Sequence, residues 1–142
     1  MEHLLQILAV IATGTLVGVE FGVAAFTNPI LERLPDDAYR QARATGSRIL
    51  GTVMPFWYIA AIAPVVVVAI LGRSPLAIAA VVLMALVLVL TLSVLVPINN
   101  RVAAWAGAPM PSRELAHRWD RLHWLRVALL AMSFVLVVLG AT

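Results

Sequence analysis

Glu20 stands in the middle of an apolar run that extends from Leu4 to Phe26. An acidic side chain at the centre of a membrane-spanning helix costs roughly 2.5 to 3.5 kcal/mol on insertion scales unless it meets a cavity or a partner, so its position calls for a function. Near the other end of the chain, Trp119, His123 and Arg126 recur at i, i+4 and i+7, which places them on one helical stripe. His117, Arg121 and Trp124 point elsewhere on the same helix. Histidine is the side chain whose ordinary pKa lies nearest neutrality, which makes His123 the candidate general base. Arg126 and Asn99 add side-chain hydrogen-bond donors to the set. Trp119, together with Trp57 or Tyr58, offers faces on which a flat ligand could stack. Asn28, Asn99 and Asn100 fall toward the same end of their helices as the stripe. Taken singly, these residues have blander accounts: Trp119 as an interfacial anchor, Arg126 as a snorkelling cation, His123 as a headgroup contact. Their expected convergence is what favours a site. A contact between Glu20 and Arg126 lies within reach of the long arginine side chain and would neutralise two costly intramembrane charges.

The elements that must position these residues are visible in composition. Of 142 residues, 63% are hydrophobic and 12% charged, about half the charge content of a soluble domain. The runs from Ile49 to Leu71 and from Leu76 to Ile98 carry no charge, and a fourth runs from Leu122 to Ala141. Each is long enough, at about 1.5 Å per residue, to cross a hydrocarbon core of about 30 Å. The expectation is an all-α, single-domain, antiparallel four-helix membrane bundle with spans at about 4–28, 48–71, 75–98 and 120–141. Met1, Glu2 and His3 provide no basic leader region, so the first run reads as a retained helix. Arg33, Arg40, Arg43 and Arg48 lie between the first two runs, and Arg101, Arg113, Arg118 and Arg121 between the last two, against Arg73 alone on the opposite side. This bias predicts two cytoplasmic connections and both termini outside, with the arginines serving topology and anionic-lipid contact. All ten basic residues are arginine, and a bacterial inner (cytoplasmic) membrane is the expected location.

Asp36 and Asp37 after Pro35 mark a helix start that continues into the second span, which Pro55 and Pro64 should bend. Gly72 to Pro75 reads as a tight turn, Gly107 to Ser112 with Pro109 and Pro111 as loop, and Ser112 as the N-cap of the last helix. The third span is expected to end near Pro97, with Pro97, Ile98 and Asn99 forming a turn. Gly14, Gly18 and Gly22 have the spacing that admits a neighbouring helix, either within the bundle or in a homodimer, on the side of the helix away from Glu20. Glu20 itself aligns with Thr13 and Thr27 at seven-residue intervals.

The segment LVPINNR, from Leu95 to Arg101, followed by RWDRLHWLR with its Trp119, His123 and Arg126, resembles the anthrone-oxygenase-like family of small four-span membrane proteins, much of it catalogued as a domain of unknown function. The glycine-bearing first span closing on Asn28, Pro29, Ile30 and Leu31 is similar to that family's first helix. The resemblance runs over nearly the whole chain and carries over Asn99, Trp119, His123 and Arg126; Glu20 has no assigned place in it. It implies a cofactor-independent monooxygenase acting on a hydrophobic polycyclic aromatic, converting an anthrone methylene to a quinone carbonyl without metal or flavin.

Other classes stay open at this stage. A small proton-coupled multidrug-type transporter would use Glu20 as its exchanging carboxylate, although the long arginine-rich connections depart from that pattern. A haem or a metal at His123, alone or with Glu20, is the alternative to no cofactor, since His3, His117 and His123 offer no paired ligands. A non-catalytic partner subunit is the fourth. The absence of cysteine removes disulfide, thiolate-metal and dithiol chemistry, and basic residues divided among short connections argue against nucleic-acid binding.

Overall fold

Each apolar run becomes a helix. The computed structural model describes residues 2–107 and 112–141. Four helices are long and apolar enough to cross a membrane: α1 (His3–Leu31), α2 (Asp36–Gly72), α3 (Pro75–Gly107) and α4 (Arg113–Ala141). Among the described residues there is no strand, so the chain is an all-α membrane bundle. Side chains such as Leu4, Ile11, Ile70 and Val89 stand exposed on its outside, as lipid contact requires and a water-soluble surface does not tolerate in such number.

Helix α1 packs between α2 and α4, while α3 packs on α4 and returns to α2, so the helices alternate in direction around a square. Alanines at the contacts, Ala9, Ala61 and Ala80, let the backbones approach, and Leu16, Met84, Val87 and Leu130 fill the centre. Gly14 follows the same logic: a Cβ there would lie 3.0 Å from the Phe134 ring. Gly18 and Gly22 do not, since a Cβ at either meets nothing within 4 Å. Within the chain, the expectation that Gly14, Gly18 and Gly22 admit a neighbouring helix thus holds at Gly14 and not at the other two. Ala9, Thr13, Leu16, Glu20 and Ala24 form the buried stripe of α1.

Helices α1 and α3 run on past their prolines instead of stopping. Each contains one π-helical turn just before the proline, Val23–Thr27 ahead of Pro29 and Thr91–Leu95 ahead of Pro97. In each, the residue preceding the proline bonds five positions back, Asn28 to the Val23 carbonyl and Val96 to the Thr91 carbonyl. The turn inserts an extra residue into the helical register. Thr27, expected in line with Glu20, is therefore rotated outward, and Asn28 takes the buried position. The stretch Val96–Ala103 is helix, which corrects the expected turn at Pro97 to Asn99.

Helix α2 begins at Asp36 and continues through Pro55 and Pro64 as one element. At its end Arg73, with φ of 48°, takes the left-handed cap beside Gly72, its N–H bonded to the Ala69 carbonyl. Ser112 caps α4 as expected, its hydroxyl accepting from the Leu115 N–H at 3.3 Å. The expected loop through Pro109 and Pro111 lies outside the described residues.

Candidate functional site

Glu20 from α1 and Arg126 from α4 meet inside the bundle, guanidinium Nη2 to carboxylate Oε2 at 2.7 Å. Tyr58 of α2 donates its hydroxyl to the other carboxylate oxygen, Oε1, at 2.6 Å. Three helices thus converge on one carboxylate, and all three side chains are buried. Such a pair is weak evidence for stability, because desolvation offsets most of its Coulomb attraction. Ionisable side chains at such a depth are the ones expected to serve a site.

His123, one turn from Arg126, stands behind this pair. Its Nε2 lies 2.9 Å from the Glu20 backbone carbonyl, and its Nδ1 lies 2.7 Å from Arg126 Nη2. A carbonyl only accepts and a guanidinium only donates, so the ring is neutral, with its proton on Nε2 and a lone pair on Nδ1. The 3.4 Å separation of Nδ1 from Glu20 Oε2 is the longer contact and does not require a charged ring. Trp119 stacks on the imidazole at 4.6 Å between centroids and 12° between planes. His123 is therefore fixed on both nitrogens and one face.

In front of the pair lies a cavity of about 490 Å³, within the 300 to 1,000 Å³ range of small-molecule sites. Glu20, Tyr58, Thr91, Asn99, Trp119 and Arg126 give it a polar end, and Val19, Met54, Ile62, Leu88 and Leu95 are among its apolar walls. Its rim includes Ile59 of α2 and Leu92 of α3, both exposed on the lipid-facing surface. Helices α2 and α3 are joined by the Arg73–Ser74 turn at one end and packed through Val96–Gly107 at the other, and the cavity sits in the gap between. Of the buried donors of its lining residues, Trp119 Nε1 and Arg126 Nε have no hydrogen-bond partner among the described residues. Asn99 is placed by a close approach: its Nδ2 donates to the Ser47 carbonyl at 3.0 Å, and a Cβ at Gly51 would press to 3.2 Å from that nitrogen.

A second polar centre lies toward the connections. Arg43 of α2 is buried and grips Asp120 of α4 with both terminal nitrogens, at 2.9 and 2.7 Å, the forked geometry that makes arginine–carboxylate pairs strong. Asn28 donates to Asp120 Oδ1, the oxygen that Arg43 Nη1 also reaches, at 2.9 Å and accepts from Arg43 at 3.3 Å. Glu32 then gathers Tyr39 at 3.0 Å, Arg43 at 3.2 Å, Arg113 at 3.3 Å and His117 at 3.1 Å. Burial pushes the Glu32 carboxyl up, but the hydrogen bonds from His117, Tyr39 and Arg43 outweigh it and hold the group below its ordinary value.

Of the residues put forward from sequence, Glu20, Tyr58, Asn99, Trp119 and Arg126 line the large cavity. His123 contacts the cavity residues without lining it. Asn28 belongs to the second centre, Trp57 packs against the core, and Asn100 is exposed. Arg43 and Asp120 were missed; the only available signal was an acidic residue inside the Trp119 to Arg126 segment that then required a basic partner elsewhere. No group of three or more His, Cys, Asp or Glu side chains arranged for a metal ion occurs among the described residues.

Compared with known proteins, residues 38–136 match the family model for anthrone oxygenase. No curated protein and no solved structure matches the chain. The matched stretch holds Arg43, Tyr58, Asn99, Trp119, Asp120, His123 and Arg126, while Glu20 and Asn28 come from α1, ahead of it.

Proposed function

This chain belongs to the anthrone oxygenase family, matched over more than two thirds of its length, and from that premise we propose that it oxidises a hydrophobic, anthrone-type aromatic within the membrane. A methylene flanked by aromatic rings loses two hydrogens and gains one oxygen atom. The second atom of O2 leaves with those hydrogens as water, so O2 is the sole oxidant and the electrons balance without another reductant. No metal or organic cofactor enters the proposal.

Glu20, not His123, is assigned as base in this reading, because its carboxylate lines the cavity and keeps lone pairs beyond those that Tyr58 and Arg126 use, whereas each imidazole nitrogen has one bonding position and both are committed within the protein. Glu20 takes the methylene proton, and the electron pair delocalises onto the ring ketone oxygen. The unpartnered Arg126 Nε–H and Trp119 Nε1–H, with Asn99 beside them, stabilise that enolate oxygen. Oxygen then forms a bond to the carbanionic carbon, and Glu20 returns the proton to the resulting peroxide. Loss of the second C–H proton with cleavage of the O–O bond leaves the carbonyl and water. His123 positions Glu20 and Arg126 through its two hydrogen bonds.

The observation that carries this reading is the lining of one largely apolar, lipid-bordered cavity by a carboxylate and by residues with unpaired donors. Purified protein in nanodiscs, given anthrone, should consume one O2 per quinone formed. Glu20→Gln, which keeps hydrogen-bonding capacity, should lower the rate on the order of 10² to 10⁴-fold, as loss of a general base does. Oxygen uptake by wild type no faster than spontaneous autoxidation would overturn the proposal.

A further inference from the structure

Between the two polar centres is a second, smaller chamber of about 50 Å³. Since one water needs on the order of 10 to 15 Å³ of such space, it admits roughly three to five. It shares Val23, Leu50, Asn99 and Trp119 as walls with the large cavity, and its other end is formed by Asn28 and Arg43. Arg43, which lines this chamber and not the large cavity, has a buried Nε with no protein partner. Buried N–H groups are nearly always satisfied, by ordered water where protein does not reach them. The Arg43 centre in turn touches the surface, because the Asp120 and Glu32 side chains are 19% and 28% exposed.

We infer that this chamber is a water-bearing conduit joining the Arg43–Asp120 centre to the Glu20–Arg126 cavity. Its use in turnover rests on the function proposed above: the conduit lets the water formed in an otherwise apolar cavity leave on the polar side and keeps Glu20 in proton exchange with the aqueous phase. Lipid on the Ile59 side offers neither.

The chain has no cysteine, so single cysteines in nanodiscs can be tested with a charged, membrane-impermeant methanethiosulfonate. Gly46 and Ser47 line the chamber, and a Cβ at Gly46 meets nothing within 4 Å. Because the thiolate is the reactive form and apolar surroundings suppress it, Gly46→Cys and Ser47→Cys should label on the order of tenfold faster than Ile59→Cys at the lipid-side rim. Thr91→Cys, deep in the large cavity, should react with Ag+, a thiol-reactive cation about the size of a water molecule, and adding Gly46→Leu or Ala42→Leu to fill the chamber should abolish that labelling. Unreactive Gly46→Cys and Ser47→Cys, or Thr91→Cys labelling untouched by both fillings, overturns the conduit. Oxygen uptake by Gly46→Leu alone should slow in step with the lost labelling. If wild type oxidises no anthrone, the proposed function fails while the labelling pattern still decides the conduit.

Discussion

The pair of Glu20 and Arg126 sets the terms for every substitution around it. Removing one member of a buried ion pair strands the other and typically costs about 3 to 5 kcal/mol, so Glu20→Ala should unfold in a thermal melt before its activity can be read. Glu20→Gln keeps an acceptor for Arg126 and turns its amide N–H toward the Tyr58 oxygen, and is the informative change. His123 separates two roles more sharply. A glutamine amide, like the neutral imidazole, offers one donor and one acceptor, so His123→Gln can bond both the Glu20 carbonyl and Arg126. As a positioning residue His123 should survive that change within about tenfold of wild-type turnover while His123→Ala falls by about 100-fold; a true base would lose 10² to 10⁴ in both. The stripe of Trp119, His123 and Arg126 was legible because i, i+4, i+7 spacing is a local property of a helix. Arg43 was not: it stands among four arginines of one connection, and its partner Asp120 lies 77 residues away, a relation that no periodicity records.

At the level of elements, the end of the bundle near the connections is tied by Glu32, which follows α1 and holds Tyr39 and Arg43 of α2 and Arg113 and His117 of α4. Its carboxyl is held below the ordinary value, so the folded state favours the ionised form. The stabilisation is complete above the unfolded carboxylate value, near 4.3, and is lost as pH falls through the lowered folded value. Acidification from pH 5 toward pH 3 should therefore raise hydrogen exchange at the start of α2 and of α4, and Glu32→Gln should show that exchange already at pH 7 with little further change. Equal acid sensitivity in both proteins would assign the effect to another group. The helices themselves and the Ser112 cap were readable from apolar runs and N-cap chemistry. The π turns before Pro29 and Pro97 were not, because a proline in an apolar run signals a helix end as readily as a register shift. That one-residue shift decides whether Thr27 or Asn28 faces inward.

For the whole molecule, hydropathy gave the number of spans and an antiparallel bundle gave their neighbours, but neither says which adjacent pair stands apart. That depends on side-chain packing. Here α2 and α3 meet at their ends and leave the cavity between them, bordered by Ile59 and Leu92 toward lipid. A substrate that partitions into hydrocarbon would then enter sideways, reaching Glu20 without crossing the polar centre at the connections. Narrowing this gap should hinder entry while leaving the reacting groups in place, so Ile59→Trp with Leu92→Trp should raise KM on the order of tenfold at nearly constant kcat, the pattern of lost access and binding rather than lost transition-state contact. Met132→Trp and Val135→Trp, exposed on α4 and away from the gap, control for a general effect of bulky residues against lipid. A lateral route requires the first pair to respond and the second to stay near wild type. Equal kinetics in the two pairs would mean that substrate reaches the cavity by another path.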